Sequence, residues 1–458
     1  MGRRRQKTQL ELAFDSESRG EAPTAESQGR ELPASRSSSE PPGDVRLLES
    51  ILARSNMQTA LQRVTSNKGS PGVDGMTVEE LPTFLRAHWP EVREQLKAMT
   101  YQPQPVRRVK IPKPGGGSRK LGIPTVLDRL IQQATLQVLQ GEWDPTFSDS
   151  SFGFRPGRSA HQAVAQVQGF LEEGYRYVVD IDLEKFFDRV NHDVLMGRVM
   201  KRVEDKRVLK LIRGFLNSGV LEEGLVSRTE EGTPQGGPLS PLLSNLLLDE
   251  LDRELERRGL RFARYADDCN VYVRSERAGH RVLASVTKFL EKKLRLKVNQ
   301  GKSGVGRPWD REFLGFSFTN HRKNPRLRIS PKAKRRLKAK IRELAGRNRG
   351  RSLRQVVADL ARYLNGWRAY FGVCQTPSVL RDLDSWIMRR LRLLQWRHWK
   401  RGRTRYRELR RRGLPRERAL ICANSELGPW RKSRSPGMSE ALPVSYLREL
   451  GVPRLAPR

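Results

Sequence analysis

The sequence predicts an α+β chain in which an antiparallel sheet, packed by helices, gives way to an all-helical basic unit. Three observations carry that expectation. Short strand-forming runs recur through the first 320 residues, at Tyr177–Asp182, Arg261–Tyr265 and Asn270–Val273 and on both sides of a Gly-rich turn at Gly115–Gly117, with the alternation expected of strands. Between them, apolar residues such as Leu130, Ile131, Ala134, Leu136 and Leu139 recur at helical spacing. Beyond Asn320 the composition changes, and Ala333, Leu337, Ile341 and Leu344 fall on one face of a basic helix. At 458 residues the chain is long enough for two or three domains and a substantial core.

Charge narrows the function classes. Lys and Arg number 88 against 51 Asp and Glu, a net charge of +37, and such a potential implies a phosphate-rich partner. The three cysteines, Cys269, Cys374 and Cys422, are far apart and the six histidines are scattered, which argues against a disulfide framework, a zinc ribbon or a zinc nuclease. Arg3-Arg4-Arg5 is not followed by the apolar core of a signal peptide, and no run of eighteen apolar residues occurs. The expectation is a cytoplasmic protein with no membrane partner. Residues 1–44, rich in Ser, Glu, Arg, Gly and Pro, are expected to form a disordered leader.

In chain order, Leu47, Leu48, Ile51 and Leu52 have helical spacing and precede a turn-rich loop at Asn67–Gly75. Val106–Pro124 reads as a hairpin tipped with cations, in which Lys113 and Arg119 would close over a triphosphate; a flexible basic loop is the plainer alternative. A helix from Thr125 to Leu139 packs beneath it. Ser151–Ser159 is turn-rich, with Arg155 and Arg158 expected at the surface for RNA backbone contacts. A helix near Ala160–Glu172 leads into the strand that carries Asp182. Gly232–Asn245 breaks regularity before an apolar helix that runs to about Arg257. There Gly236 and Gly237 let the main chain approach a substrate, and Gln235 would meet an incoming nucleotide or template base. A helix near Ala278–Leu294 turns Val282, Val286, Phe289 and Leu290 inward, and Phe313–Phe318 reads as a short strand.

Two acidic sites carry the chemistry. Asp267 and Asp268 sit at the bend between two strands, where neighbouring side chains can aim at one cation, and like charges this close call for a metal or a cation between them. An Asx-type turn would explain the pair alone. Asp182, at the end of an apolar strand, supplies the third carboxylate of a two-magnesium site for in-line phosphoryl transfer. Asp180 and Asp188 are weaker candidates. In the basic unit, residues 331–350 hold nine Lys or Arg and one Glu, and residues 397–418 hold eleven against two Glu, interleaved with Trp399 and Tyr406. Two further helical patterns, at Leu353–Trp367 and Leu383–Leu394, complete a bundle. Its Arg335, Arg336, Lys338, Arg403 and Arg405 are candidate RNA contacts, and basic residues interleaved with Trp399 and Tyr406 suit a folded RNA, where phosphates attract and unpaired bases can stack.

Tyr265-Ala266-Asp267-Asp268 resembles the Tyr-x-Asp-Asp box of reverse transcriptases. Asn67–Gly75, Gly153-Phe154-Arg155-Pro156-Gly157, Thr233-Pro234-Gln235-Gly236 through Ser240-Pro241, and Arg362–Gly372 resemble, in the same order, segments of group II intron-encoded reverse transcriptases and maturases. The resemblance covers about residues 45–458. It implies a right-hand polymerase with fingers and palm over 45–320, a helical thumb and maturase domain over 321–420, and a short tail over 421–458 without a C-terminal HNH endonuclease. It also implies RNA-directed DNA synthesis from deoxynucleoside triphosphates on an RNA template and DNA primer, binding of intron RNA for splicing, and retrohoming into a DNA target as a ribonucleoprotein. Two Mg2+ ions, with Mn2+ as a substitute, would be held by Asp182, Asp267, Asp268 and the Leu183 main-chain carbonyl. Phe187, which spacing alone reads as core, would screen the ribose 2′-hydroxyl, and Lys302, otherwise a surface lysine, would protonate the leaving pyrophosphate. A splicing-only RNA-binding maturase, an RNA-dependent RNA polymerase and a reverse transcriptase adopted by the host for repair are the rival readings. The intron served and the oligomeric state, monomer or dimer, are left open.

Overall fold

Leu47, Leu48, Ile51 and Leu52 bury the first described helix, Leu47–Leu52, as their spacing requires. The computed structural model describes residues 47–112, 118–222, 225–227, 232, 236–346 and 350–457, with the main chain only at Arg119, Leu225 and Val226. The leader and the tip of the first hairpin lie outside the described residues. The chain divides into two units, one of residues up to 163 with 177–305, the other of 164–176 with 306–458.

In the first unit, β1 (Val106–Pro112) and β2 (Ser118–Ile123) form the expected hairpin, in register from Arg107 opposite Ile123 to Pro112 opposite Ser118. β1 also pairs in parallel with β4 (Val220–Glu222), which pairs with β5 (Leu225–Ser227). Arg108, Lys110 and Lys120 converge on Glu222 at 3.1, 3.1 and 3.4 Å. The helix Val126–Trp143 begins where Thr125 accepts from the Asp128 N–H, a standard N-cap. Asp128 is 1 % exposed, accepts from Tyr101, Thr125 and the Gln104 N–H, and is pushed up to about 6 by burial, against those hydrogen bonds.

The second sheet has the order β6 (Arg261–Tyr265), β7 (Asp268–Val273), β3 (Tyr177–Ile181), β8 (Gly304–Gly306). Its central pairings are antiparallel, with Val179 opposite Val271 and Ile181 opposite Cys269. The helix Ser240–Arg257 starts with Pro241 in its first turn and buries Leu242, Leu243, Leu246, Leu247, Leu251 and Leu255, which anchors the sheet in one core. The helix Glu276–Lys293, capped by Ser275, buries Val286 and Leu290 against that core, with Val282 and Phe289 half-buried.

In the second unit, β9 (Phe316–Phe318) pairs with β10 (Leu327–Ile329). The expected strand at Phe313–Phe318 is therefore shorter, because Leu314 and Gly315 both take positive φ and turn the chain. Helices Pro331–Leu344, Leu353–Phe371 and Pro377–His398 bury Leu337, Ile341, Val357, Leu360, Leu364, Ile387 and Leu391 in a shared core. The stretch read as a short tail is folded: Leu447, Val452, Leu455 and Ala456 belong to that same core, and Asp384 accepts from the Leu455 and Ala456 N–H groups. Trp396, Trp399, Leu409, Leu414, Met438 and Leu442 make a smaller core beside it. No described helix is long and apolar enough to cross a membrane.

Candidate active site

The acidic residues meet at one end of the second sheet. Tyr265 pairs with Asp268, leaving Ala266 and Asp267 as a two-residue turn, and Ala266 adopts φ +56°, a conformation that a residue with a Cβ adopts at a cost. The β3–β7 register, continued one step past Ile181 and Cys269, sets Asp182 beside Asp268. The main chain of Asp182 is pinned: its N–H donates to Ser303 Oγ at 2.9 Å, and its carbonyl accepts from the Asn299 N–H at 2.8 Å. Leu183 forms an isolated bridge with Val298. The turn before β8 thus holds the end of β3 and delivers Lys302, whose Nζ lies 3.4 Å from Asp182 Oδ2.

The carboxylates act on one another. Asp268 is open to water on one side, yet burial on the other, then Asp267, Asp180 and Asp182, push its pKa up to about 6, with Lys302 pulling it back. Asp180 is one turn of the pleat away and, with the amide of Asn270 oriented by the local network, accepts from it at 3.1 Å. Asp188 lies exposed beyond Phe187. Among the described residues no three carboxylate, imidazole or thiol groups stand close enough to cage a metal unaided. Magnesium fits such an open set, because it keeps several waters and takes one or two carboxylates plus substrate phosphates; a divalent cation also relieves the mutual repulsion that raises Asp268.

Phe187 is half-buried, edge-on to Phe186 with ring centroids 5.1 Å apart. Lys113 and Gln235 lie outside the described residues, as does the side chain of Arg119, whose main chain sits opposite Ile111. At Gly236 and Gly237 the close approaches are to the protein: a Cβ would lie 2.4 Å from the Gly122 carbonyl oxygen at the first and 2.4 Å from Gln132 Oε1 at the second. Both glycines thus fit the main chain against the first sheet and its helix, rather than only against a substrate.

The Arg155 expectation is corrected. Arg155 is 8 % exposed, ion-paired with Asp144 at 2.8 Å, and donates to the Ser148 and Ser151 carbonyls at 2.6 and 3.0 Å. Its work is internal, because Ser150–Phe152 forms main-chain hydrogen bonds with Arg264 along the outer edge of β6. Arg158 is half-exposed and pairs with Asp149 at 2.5 Å. In the second unit Arg335, Arg336 and Arg403 are exposed, Arg336 lying 3.8 Å from Glu312. Lys338 sits over the Trp386 ring at 5.5 Å, and Arg405 covers the buried Trp396 at 4.4 Å while donating to the Trp399 carbonyl. Trp399 is 4 % exposed, so it is core and not the base-stacking platform that its basic surroundings predicted. Arg264 and Asp252, to which the sequence assigns no role, and Gly153, which it places only in a family box, are buried directly behind the turn; an arginine in the interior of a short strand was the available signal.

Comparisons with known proteins give the family. The family described as "Reverse transcriptase (RNA-dependent DNA polymerase)" matches residues 111–318, and "Group II intron, maturase-specific domain" matches 334–413. The chain is similar to Protein YkfC of Escherichia coli, 34% identical over 317 residues that cover 60% of this chain and 82% of that protein. It is 38% identical over 220 residues to the group II intron-encoded protein LtrA of Lactococcus lactis, covering 48% of this chain and 36% of LtrA. An uncharacterized 91 kDa protein in the cob intron of Schizosaccharomyces pombe is 32% identical over 213 residues, covering 45% of this chain and 25% of that protein. The chain thus matches little more than a third of LtrA's length but most of YkfC's. A reverse transcriptase domain followed by an intron maturase domain, with the acidic turn inside the first, makes this chain a member of the group II intron-encoded reverse transcriptase and maturase family.

Proposed function

We propose that the chain is an active RNA-directed DNA polymerase that copies intron RNA from a DNA primer, and that its basic helical unit holds that RNA for splicing and for insertion into a DNA target. The observation that carries the reading is the convergence of Asp182 with Asp267 and Asp268 at the end of one sheet, set by strand register. Asp182, Asp267, Asp268 and the Leu183 carbonyl would hold two magnesium ions. Bound there, the ions supply charge neutralisation to the attacking and leaving oxygens.

The rest of the chemistry falls to side chains. Lys302, which pairs with Asp182, would exchange that carboxylate for a phosphate and give a proton to the departing pyrophosphate. Phe187 narrows the sugar pocket, favouring deoxynucleotides, and Lys113, Arg119 and Gln235 would grip the triphosphate and base. Positioning and charge stabilisation carry most of such a reaction. Exposed Arg335, Arg336 and Arg403, with Lys338 and Arg158, supply RNA phosphate contacts. The experiment is primer extension on an RNA template with Mg2+ or Mn2+. Asp267→Asn is expected to abolish synthesis while intron RNA binding stays near wild type; wild-type extension in that variant refutes the assignment.

A further inference from the structure

The strand that ends in the acidic turn buries a full positive charge. Arg264 is 0 % exposed, as is Asp252 opposite it. Arg264 Nε donates to the two Asp252 oxygens at 2.7 and 3.0 Å. Nη2 donates to Asp252 Oδ2 at 2.5 Å and Ser151 Oγ at 2.7 Å, and Nη1 to Asn245 Oδ1 at 3.0 Å and the Ala266 carbonyl at 2.9 Å. All five N–H groups of the guanidinium are therefore used. The partners are themselves fixed: Asn245 Nδ2 donates to the Gly153 carbonyl at 2.8 Å, and Arg155 holds the carbonyl of Ser151.

A buried ion pair is poor evidence for stability, since apolar residues of similar volume commonly replace one without loss. What an apolar pair cannot do is hold the Ala266 carbonyl. That carbonyl belongs to the peptide joining Ala266 to Asp267, at the residue with φ +56°. We infer that Arg264, oriented by Asp252, Asn245 and Ser151, is a positioning residue that locks the Ala266–Asp267 peptide and so aims Asp267 and Asp268. The inference rests on the polymerase reading, and the experiment separates the two.

The test is the double variant Asp252→Leu/Arg264→Met in the full chain, beside Arg264→Lys, which keeps a charge opposite Asp252 but gives up the fork. Expected for both are a folded protein that binds template RNA as the wild type does, single-turnover primer extension slowed on the order of ten- to a hundredfold, and a several-fold rise in the Mg2+ concentration giving half-maximal rate. A loss of fold stability alone does not move that last quantity. Should the double variant not fold, Arg264→Lys decides by the same readouts. A folded variant with wild-type rate and Mg2+ dependence overturns the inference. Asp267→Asn runs alongside: if it extends primers normally, the polymerase reading falls and takes this inference with it.

Discussion

Gly153→Ala adds one methyl group where the structure has no room for it. A Cβ at residue 153 would lie 2.2 Å from the Ala266 nitrogen, 2.9 Å from the Tyr265 carbonyl carbon and 3.0 Å from the Ala266 Cα. All three atoms are main chain, so no side chain can swing aside. Relief to about 3 Å requires the two segments to separate by about 0.8 Å. Neither yields easily: Ser150 and Phe152 are bonded to Arg264 on one side, and Ala266 already holds a left-handed conformation on the other. Overpacking of this kind costs roughly 1–3 kcal/mol, which a domain of this size withstands. A displacement near 1 Å at reacting groups costs on the order of a hundredfold in rate, and Asp267 and Asp268 directly follow the displaced residue. The expected outcome is a folded protein, a few degrees less stable in a thermal melt, that binds template RNA but extends primers about a hundredfold more slowly in single-turnover assays. A variant with wild-type rate and melting temperature would show that the turn and Gly153 do not bear on each other, and the reasoning would fail.

Two further predictions use other parts of the molecule. Asp128, near 6 in the folded chain against an ordinary 3.8, binds its proton more tightly folded than unfolded. Its contribution is complete below about pH 3.8 and is lost as pH rises through 6. Asp128→Asn should therefore gain stability relative to wild type between pH 4 and 7, on the order of 2 to 3 kcal/mol by urea denaturation; an equal difference at the two pH values contradicts this. Arg403→Ala and Arg405→Ala should part company. The first, exposed, is expected to weaken RNA binding and reduce its salt slope by about one with an unchanged melt, whereas the second uncovers Trp396 and should lower the melting temperature.

The strands and helices that the sequence announced are those with long periodic stretches. The helices at 126–143, 160–172 and 276–293 and both hairpins lie within a few residues of their expected bounds, whereas the helix ending at Arg257 starts at Ser240, inside the stretch Gly232–Asn245 expected to be irregular. The acidic turn was legible because a two-residue hairpin leaves little choice of register. The helices Leu81–Lys97, His192–Val199 and Lys206–Asn217 have no counterpart among the expected elements: Pro90 stands inside the first and the second is only eight residues long, whereas the third buries Val208, Leu211, Ile212 and Phe215 on one face and was legible from its helical spacing. What could not be read was the purpose of polar residues far apart in sequence. Arg155 and Trp399 look like RNA-facing groups until Asp144 and the small core around Met438 are placed beside them. Burial is a long-range property, and neither composition nor local periodicity contains it.

The same contrast explains how a chain of net charge +37 sustains a knot of carboxylates at one end of a sheet. Burial first, and then repulsion from Asp267, Asp180 and Asp182, raises Asp268, and a site built on four mobile acids would relax by turning them apart. Here each is fixed through the main chain instead. Ser303 and Asn299 hold Asp182, strand pairing holds Asp180 and Asp268, and the Arg264 bond to the Ala266 carbonyl holds the peptide before Asp267. Much of the cost of crowding is thereby carried by main-chain hydrogen bonds, while the Asp180 carboxylate accepts from the Asn270 amide and Asp182 pairs with Lys302. Preorganisation of this kind places the expense in folding and not in the reaction. It also explains why the residues that matter most to the acidic turn, Gly153, Asp252 and Arg264, carry none of its chemistry.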